Sequence, residues 1–217
     1  MSDRTTAPGP GRPKDPAKRE AILGAAQVLF LANGYEGSSM EAIAAEAGVS
    51  KLTLYSHFRD KEALFCDAVK STCETRLPRS LFLLEPGRTM EQVLLAIGTA
   101  FQALVNSPES IGLHRVMVAM ATQNPALSRL FFDAGPQRLL GDLEALFAEA
   151  DRRGLLVAPA PLSAAEHFCS LVKGGAHFRL LIGYSDEPTA DEAERHVREV
   201  VSLFLRAYGP GAAGKPD

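Results

Sequence analysis

The chain has 217 residues and a formal net charge of −3, room for one large domain or a small domain joined to a larger one. Apolar residues make up 46% and charged residues 23%, which excludes a disordered chain, and no apolar run approaches the ~18 residues of a membrane span. The first 14 residues are polar and Pro/Gly-rich with no apolar stretch of the signal-peptide kind, so the expected location is the cytoplasm. Charge is unevenly spread. Residues 1–80 carry 11 Lys/Arg against 10 Asp/Glu, and residues 81–217 carry 12 against 16. A slightly basic first part and an acidic remainder suggest two jobs. Of the three cysteines, Cys66 and Cys73 are two helical turns apart and Cys169 is remote. At about 10 Å along a helix the first two are too far apart for a disulfide, so free thiols are expected.

Taken in chain order, residues 1–15 read as a basic, flexible arm. Asp15 is a helix N-cap with Pro16 at the first helical position. Ile22, Ala25, Ala26, Leu29 and Phe30 follow at helical spacing, and Asn33-Gly34 stops the helix. Ser38-Ser39-Met40-Glu41 reads as a capping box, with Ser38 as the cap and Glu41 three residues on. A short helix with Met40, Ile43, Ala44 and Ala47 inward ends at Gly48. Ser50 caps the next helix, which carries Leu54 and Phe58 on its core side. Asp60 caps another, over 61–75. The remainder lacks any period-two run and reads as helices over 89–106, 108–123, 124–133, 136–153, 163–184 (capped by Ser163) and 190–208, with a connector at 155–161 and a disordered tail at 209–217. The expected fold is all-α with nine to ten helices. A three-helix helix-turn-helix domain spans 16–76, its motif at 39–58. A larger helical-bundle domain spans 77–208.

The stretch from Ser39 to Phe58 is the informative one. A helix-turn-helix needs a small residue where the helices cross, a residue tolerant of left-handed φ in the turn, and apolar positions that lock the angle. Ala44, Gly48, and the group Ile43, Ala47, Val49 and Leu54 supply these. The same pattern fits an ordinary αα-hairpin. The second helix separates the two readings. With Leu54 and Phe58 inward, Leu52, Thr53 and Ser56 point away, flanked by Tyr55 and His57, as a recognition helix presents side chains to the major groove. Lys51 can reach a phosphate or a guanine. Leu52 and the Thr53 methyl suit a thymine methyl group, and Thr53 or Ser56 suits a base edge. Tyr55 and His57 suit phosphates, and Lys61 with the N–H groups of its helix start can grip another. Ser38, Ser39 and Ser50 complete this set at the helix starts. Arg12 and Lys14, around Pro13, suit an A/T-rich minor groove or belong to a merely solvated tail.

Phe30, Gly34-Tyr35, Ser38-Ser39, Ile43-Ala44, Gly48-Val49-Ser50, Leu54-Tyr55, His57-Phe58 and Lys61-Glu62 together resemble the N-terminal domain of the TetR family of bacterial transcriptional regulators. The resemblance is specific over residues 16–76 and architectural beyond. It implies a homodimer reading a pseudo-palindromic operator in double-stranded DNA, and a second domain whose small-molecule effector releases the DNA. Leu52 stands where the family usually has Gly, and Ser56 where it often has an aromatic residue, so base preference does not transfer.

The resemblance also implies that the last two helices pair with those of a second subunit. Gly174 and Gly175 would allow the close approach, and Val197, Val200 and Phe204 would form the stripe. Phe101, Leu104, Met117, Met120, Phe131 and Phe132 are candidates for an adaptable pocket for an apolar or amphipathic ligand, with His177 as a polar anchor; ordinary core packing fits each singly. No nucleophile elbow, phosphate loop, paired-carboxylate site or zinc motif occurs in the sequence. A non-enzyme without metal or cofactor is expected. The preferred reading is a ligand-released repressor whose moving element is the helix from Lys61. A ligand-independent regulator or activator and a protein-interaction module without DNA binding are the rivals.

Overall fold

The computed structural model describes residues 15–211, in ten α-helices and one 3-10 turn. Arg12 and Lys14 lie outside the described residues, as does the tail beyond 211. α1 (Pro16–Asn33) starts where the Asp15 carboxylate accepts from the Ala17 N–H, and ends at Gly34 with φ 71°. α2 (Met40–Glu46) is capped by Ser39, whose hydroxyl accepts from the Ala42 N–H. The expected cap, Ser38, is instead buried, and its hydroxyl bonds the carbonyls of Gly34 (2.7 Å) and Leu29 (2.9 Å). Gly48, at φ 64°, makes the turn into α3 (Lys51–His57), which Ser50 caps. No atom lies near the position of a Cβ on Gly48, so its glycine serves backbone conformation alone. Asp60 caps α4 (Lys61–Arg76).

A 3-10 turn at Arg79–Phe82 follows, too short to show in apolar periodicity. α5 (Met90–Val105) opens with a Thr89/Gln92 capping box. α6 (Pro108–Met120) stops three residues short of the expected end. α7 (Pro125–Ala134) and α8 (Pro136–Arg152) meet at Gly135. α9 (Pro161–Leu181) begins before Ser163, because Pro161 takes the first helical position and Ser163 falls inside the first turn. α10 (Ala190–Tyr208) closes the fold.

Two apolar clusters form. In the first, Ile22, Ala26 and Phe30 of α1 meet Ile43 of α2, Leu54 of α3, and Leu64 and Phe65 of α4; Met117 of α6 and Leu127 of α7 complete it. In the second, α5, α8, α9 and α10 enclose Leu94, Ile97, Leu143, Phe147, Phe168, Val197, Val200 and Phe204. The last three therefore correct the expected dimer stripe. Phe204 meets Phe168 and Phe147 at ring distances of 5.2 and 5.3 Å and stacks on Tyr208 at 4.6 Å, so this face of α10 is used within the protomer. The apolar side chains that remain exposed on α9, just beyond it and on α10 are Leu162, Phe178, Ile182, Tyr184 and Leu203.

Gly174 is also an intramolecular feature. Its φ of 54° breaks α9, and a Cβ there would sit 2.9 Å from the His196 ring. His196 Nε2 in turn donates to the carbonyls of Leu171 (3.1 Å) and Val172 (3.0 Å). The kink frees those carbonyls and makes room for the imidazole. Gly175 faces only the far end of the Arg179 side chain. Gly174→Ala is expected to cost about 2 kcal/mol from left-handed φ and overpacking. That lowers the Tm by roughly 4–8 °C for a chain of this size. Gly175→Ala, in helical backbone, is expected to leave the melt unchanged or raise it slightly. Equal melts for the two variants would contradict this account of the kink.

Candidate nucleic-acid interface and effector cavity

α3 presents two faces. Leu54 and Phe58 are buried, while Leu52 is 82% exposed and Tyr55 41% exposed. An isolated, outward leucine of this kind has no packing role in the domain. Thr53 is half-buried beside the cap, its Oγ1 2.9 Å from Ser50 Oγ, and Ser56 donates its hydroxyl proton to the Thr53 carbonyl at 2.6 Å. The Ser56 oxygen thus faces outward as an acceptor. Lys51 forms an ion pair with Glu41 at the start of α2 and lies 5.9 Å from the Tyr55 ring centre. The pair raises the Lys51 ammonium pKa and lowers that of Glu41. It brings the starts of α2 and α3 together, so Ser39, Ser50 and Lys51 share one region with the outer face of α3. His57 is half-buried against Phe58, with a ring distance of 6.3 Å. Ser38, buried beneath these residues, is removed from any DNA-facing surface, which corrects its place in the expected set.

Lys61 does more inside the domain than its sequence position suggested. Its ammonium donates to the carbonyls of Tyr35 (2.9 Å) and Ser38 (3.2 Å), sits 4.2 Å over the Tyr35 ring, and has Glu36 at 3.9 Å. Tyr35 in turn stacks on Phe30 (5.7 Å) and meets the edge of Phe65 (5.3 Å). Burial, with Glu62 and Glu36 nearby, pushes the Tyr35 phenol up to about 12. Lys61 therefore ties the α1–α2 connection to the start of α4, and at most one of its three protons is left for a phosphate. Residues the sequence reading passed over also matter here. Arg19 bridges α1 to α4 through Asp67 (2.7 Å) and lies over Phe58 (5.3 Å), and Arg59 pairs with Asp60 (2.6 Å).

A cavity of about 850 Å³ opens between α1, α4 and helices α5 to α9. Of the expected pocket residues, Phe101, Leu104, Phe131 and Phe132 line it. Met117 does not, because it packs into the first apolar cluster. Met120, half-buried at the end of α6, is likewise not part of the wall. His177 stands behind the wall, with its ring 5.3 Å from that of His114 and its Nδ1 bonded to Asn106 Oδ1 at 3.1 Å. His114 is the histidine that lines the cavity, and burial pulls its pKa down to about 4, with His177 and Lys173 adding to the effect. It is a neutral imidazole at pH 7.

The helices that seat α3 supply one wall of this cavity. Leu23, Gln27, Phe30 and Leu31 of α1, and Val69, Thr72 and Cys73 of α4, all line it. Gln27 Nε2 donates to Thr72 Oγ1 at 2.8 Å and to the Ala68 carbonyl at 3.2 Å, fastening α1 to α4. Cys73 and Cys169 also line the cavity; burial pushes both thiols up, Cys169 to about 12. Both are protonated at neutral pH, which makes them packing groups rather than nucleophiles. Among the described residues, no group of three His, Cys, Asp or Glu side chains could hold a metal ion. No described helix is long and apolar enough to cross a membrane.

Replacing Lys61 with Met removes two charge-assisted bonds and a cation–π contact, worth about 2 kcal/mol together. The Tm is expected to fall by roughly 4–8 °C. Lys51→Met, which loses only an exposed pair, should melt within about 1 °C of the parent. Indistinguishable melts for the two variants would remove Lys61 from its structural role.

The family description "Bacterial regulatory proteins, tetR family" matches residues 22–68, and "AefR-like transcriptional repressor, C-terminal domain" matches residues 92–210. The HTH-type transcriptional regulator YdeS of Bacillus subtilis is 41% identical over 31% of this chain and 34% of its own length. RutR of Escherichia coli is 33% identical over 65% of this chain and 61% of its own length. The chain thus spans between a third and about three-fifths of the curated relatives it matches first. Solved structures align more fully. A TetR-family regulator from Mesorhizobium loti is 32% identical with a TM-score of 0.76, covering 90% of this chain and 99% of the other. The flavonoid-responsive regulator FrrA is 32% identical with a TM-score of 0.69, covering 89% and 97%. With both of its domains matched, and with a reading helix seated on a helical bundle, the chain belongs to the TetR family of DNA-binding transcriptional regulators, which are not enzymes.

Proposed function

We propose that the protein is a homodimeric repressor that an effector in the cavity releases from a pseudo-palindromic operator. One observation carries this reading. α1 and α4, which seat the recognition helix, also form a wall of the 850 Å³ cavity. A ligand there touches the two helices that seat α3. If it binds more tightly when α1 and α4 are displaced, operator affinity falls by the ratio of its affinities for the two arrangements. The name of the matching second-domain family, a repressor, supports the sign of regulation, and the name of FrrA supports a small-molecule response.

The exposed apolar side chains Phe178, Ile182 and Leu203 of α9, α10 and the turn after α9 are the surface for the second protomer. A two-fold there sets two α3 helices into successive major grooves about 34 Å apart. Leu52 and the Thr53 methyl meet thymine methyl groups, and Thr53 and Ser56 oxygens accept from base edges. Ser39, Ser50, Lys51, Tyr55, His57 and the remaining proton of Lys61 meet phosphates. Arg12 and Lys14 of the arm enter the adjacent minor groove. The protein acts in the cytoplasm, where the operator is.

Binding to DNA flanking its own gene, followed across salt concentrations and base variants, tests the reading. Lys51→Ala is expected to weaken binding to every sequence and to reduce the salt slope by about one unit. Leu52→Ala should change preference at one base step and leave the slope alone. No retardation at low salt would overturn the proposal, and uniform effects from both variants would overturn the orientation of α3.

A further inference from the structure

The cavity's charged groups are not equivalent. Glu20, Glu109, Glu166 and Arg76 also line it, and all four are exposed. Lys173 is the half-buried one, in the α9 wall close enough to His114, His177 and Cys169 to influence their titration. Among the described residues its ammonium has no carboxylate partner and no hydrogen bond. Two other half-buried cations, Lys61 and Arg138, do have carboxylates within reach, Glu36 at 3.9 Å and Glu74 at 3.2 Å. A partly desolvated cation without a counter-charge is costly, and a bound anion offsets that cost.

His114 stands beside it. Its Nδ1 is buried and without a protein partner, and its ring lies edge-on to those of Phe131 (5.6 Å) and His177 (5.3 Å). No protein group fixes its tautomer, so the neutral ring can turn one N–H toward an acceptor. Much of the remaining wall is apolar, with Phe101, Leu104, Phe131 and Leu140, interspersed with uncharged polar side chains such as Gln27 and Thr72. Such a wall suits a hydrocarbon or aromatic body, with a few convergent polar groups to orient it.

We propose that the cavity takes an apolar weak acid, whose ionised carboxylate or phenolate head is held by the Lys173 ammonium and the His114 imidazole while its body lies against the phenylalanines and leucines. This rests on reading the cavity as the effector site. The acidic rim at Glu20, Glu109 and Glu166 then works against free small anions, so the apolar body is required for entry.

The test uses the full-length protein and two dyes that share a ring skeleton: anilinonaphthalene sulfonate, which is anionic, and phenylnaphthylamine, which is uncharged. The parent is expected to bind the sulfonate about tenfold more tightly, as a partly desolvated ion pair allows. Lys173→Met should abolish that preference without altering phenylnaphthylamine binding, and Lys173→Arg should retain it. Decanoate or naphthoate should displace the sulfonate where decanol and naphthalenemethanol do not, and whichever acid wins tells whether the body is a chain or a ring. Both dyes binding with the sulfonate indifferent to Lys173→Met would overturn the acid while leaving the cavity intact as a site. If neither dye binds, the cavity reading falls and the acid with it.

Discussion

The apolar core beneath the recognition helix is not closed by the helices of its own domain. Met117 of α6 and Leu127 of α7 fill its open side, packed with side chains of α1 to α4. A domain of about 60 residues buries too small a share of its surface to be secure alone, and here the second domain supplies what is missing. α4 is shared between the two halves. Leu64, Phe65 and Ala68 face the first core, while Val69 and Cys73 lean on Gly135, where a Cβ would come within 3.1 Å of Val69 Cγ1 and 3.3 Å of Cys73 Sγ. The junction of α7 and α8 thus needs glycine so that α4 can lie against it. Any shift of α6, α7 or that junction is felt at the seat of α3, because interiors are close-packed and do not absorb displacement.

The cavity borders these same contacts. Its walls include α4, the α7–α8 junction at Gly135 and Pro136, and the face of α1 that carries Gln27. The Gln27–Thr72 bond and the Arg19–Asp67 pair fasten α1 to α4 at separate points, and Lys61 fastens the α1–α2 connection to α4 from the far side. These ties favour movement of α1 and α4 as one body. Under the proposed function, an effector then re-aims the recognition helix rather than unfolding its domain. The ligand's influence is set by its differential affinity for the two positions of that body, and not by how tightly it binds.

Much of this was legible in the sequence where the signal is local. Asp15, Ser50 and Asp60 cap the helices that their positions announce, and Gly34 and Gly48 adopt the left-handed φ their turns require. Legibility ended where tertiary contacts chose between local equals. Ser38 and Ser39 are both competent caps, and the burial of Ser38 under the Leu29 and Gly34 carbonyls decided for Ser39. The stripe of Val197, Val200 and Phe204 announced burial, but periodicity does not say against what; the answer is α5, α8 and α9 of the same chain. Met117 looked like a pocket residue because thioethers suit pockets and cores alike. Lys61 looked like a free cation because a sequence does not show which carbonyls lie within its reach. A cavity is a gap between helices, so the contribution of α1 to its wall had no sequence signal.

Charge separates the two halves of the chain. The cations around α3 are each matched with an acid: Lys51 with Glu41, Arg19 with Asp67, Arg59 with Asp60. Exposed pairs of this kind are weak, so a phosphate can displace the carboxylate from Lys51 at little cost. Under the proposed function, Glu41 then remains close to the DNA as an uncompensated negative charge. On the same reading, the lost Glu41 pairing offsets part of what Lys51 gains from a phosphate at any site, while the outward Leu52 gains nothing from a groove without a methyl group to meet. A near-neutral head on an acidic chain thus holds down the sequence-independent part of binding. Under the proposed function, more of the discrimination then falls to the shape and apolar contacts of α3.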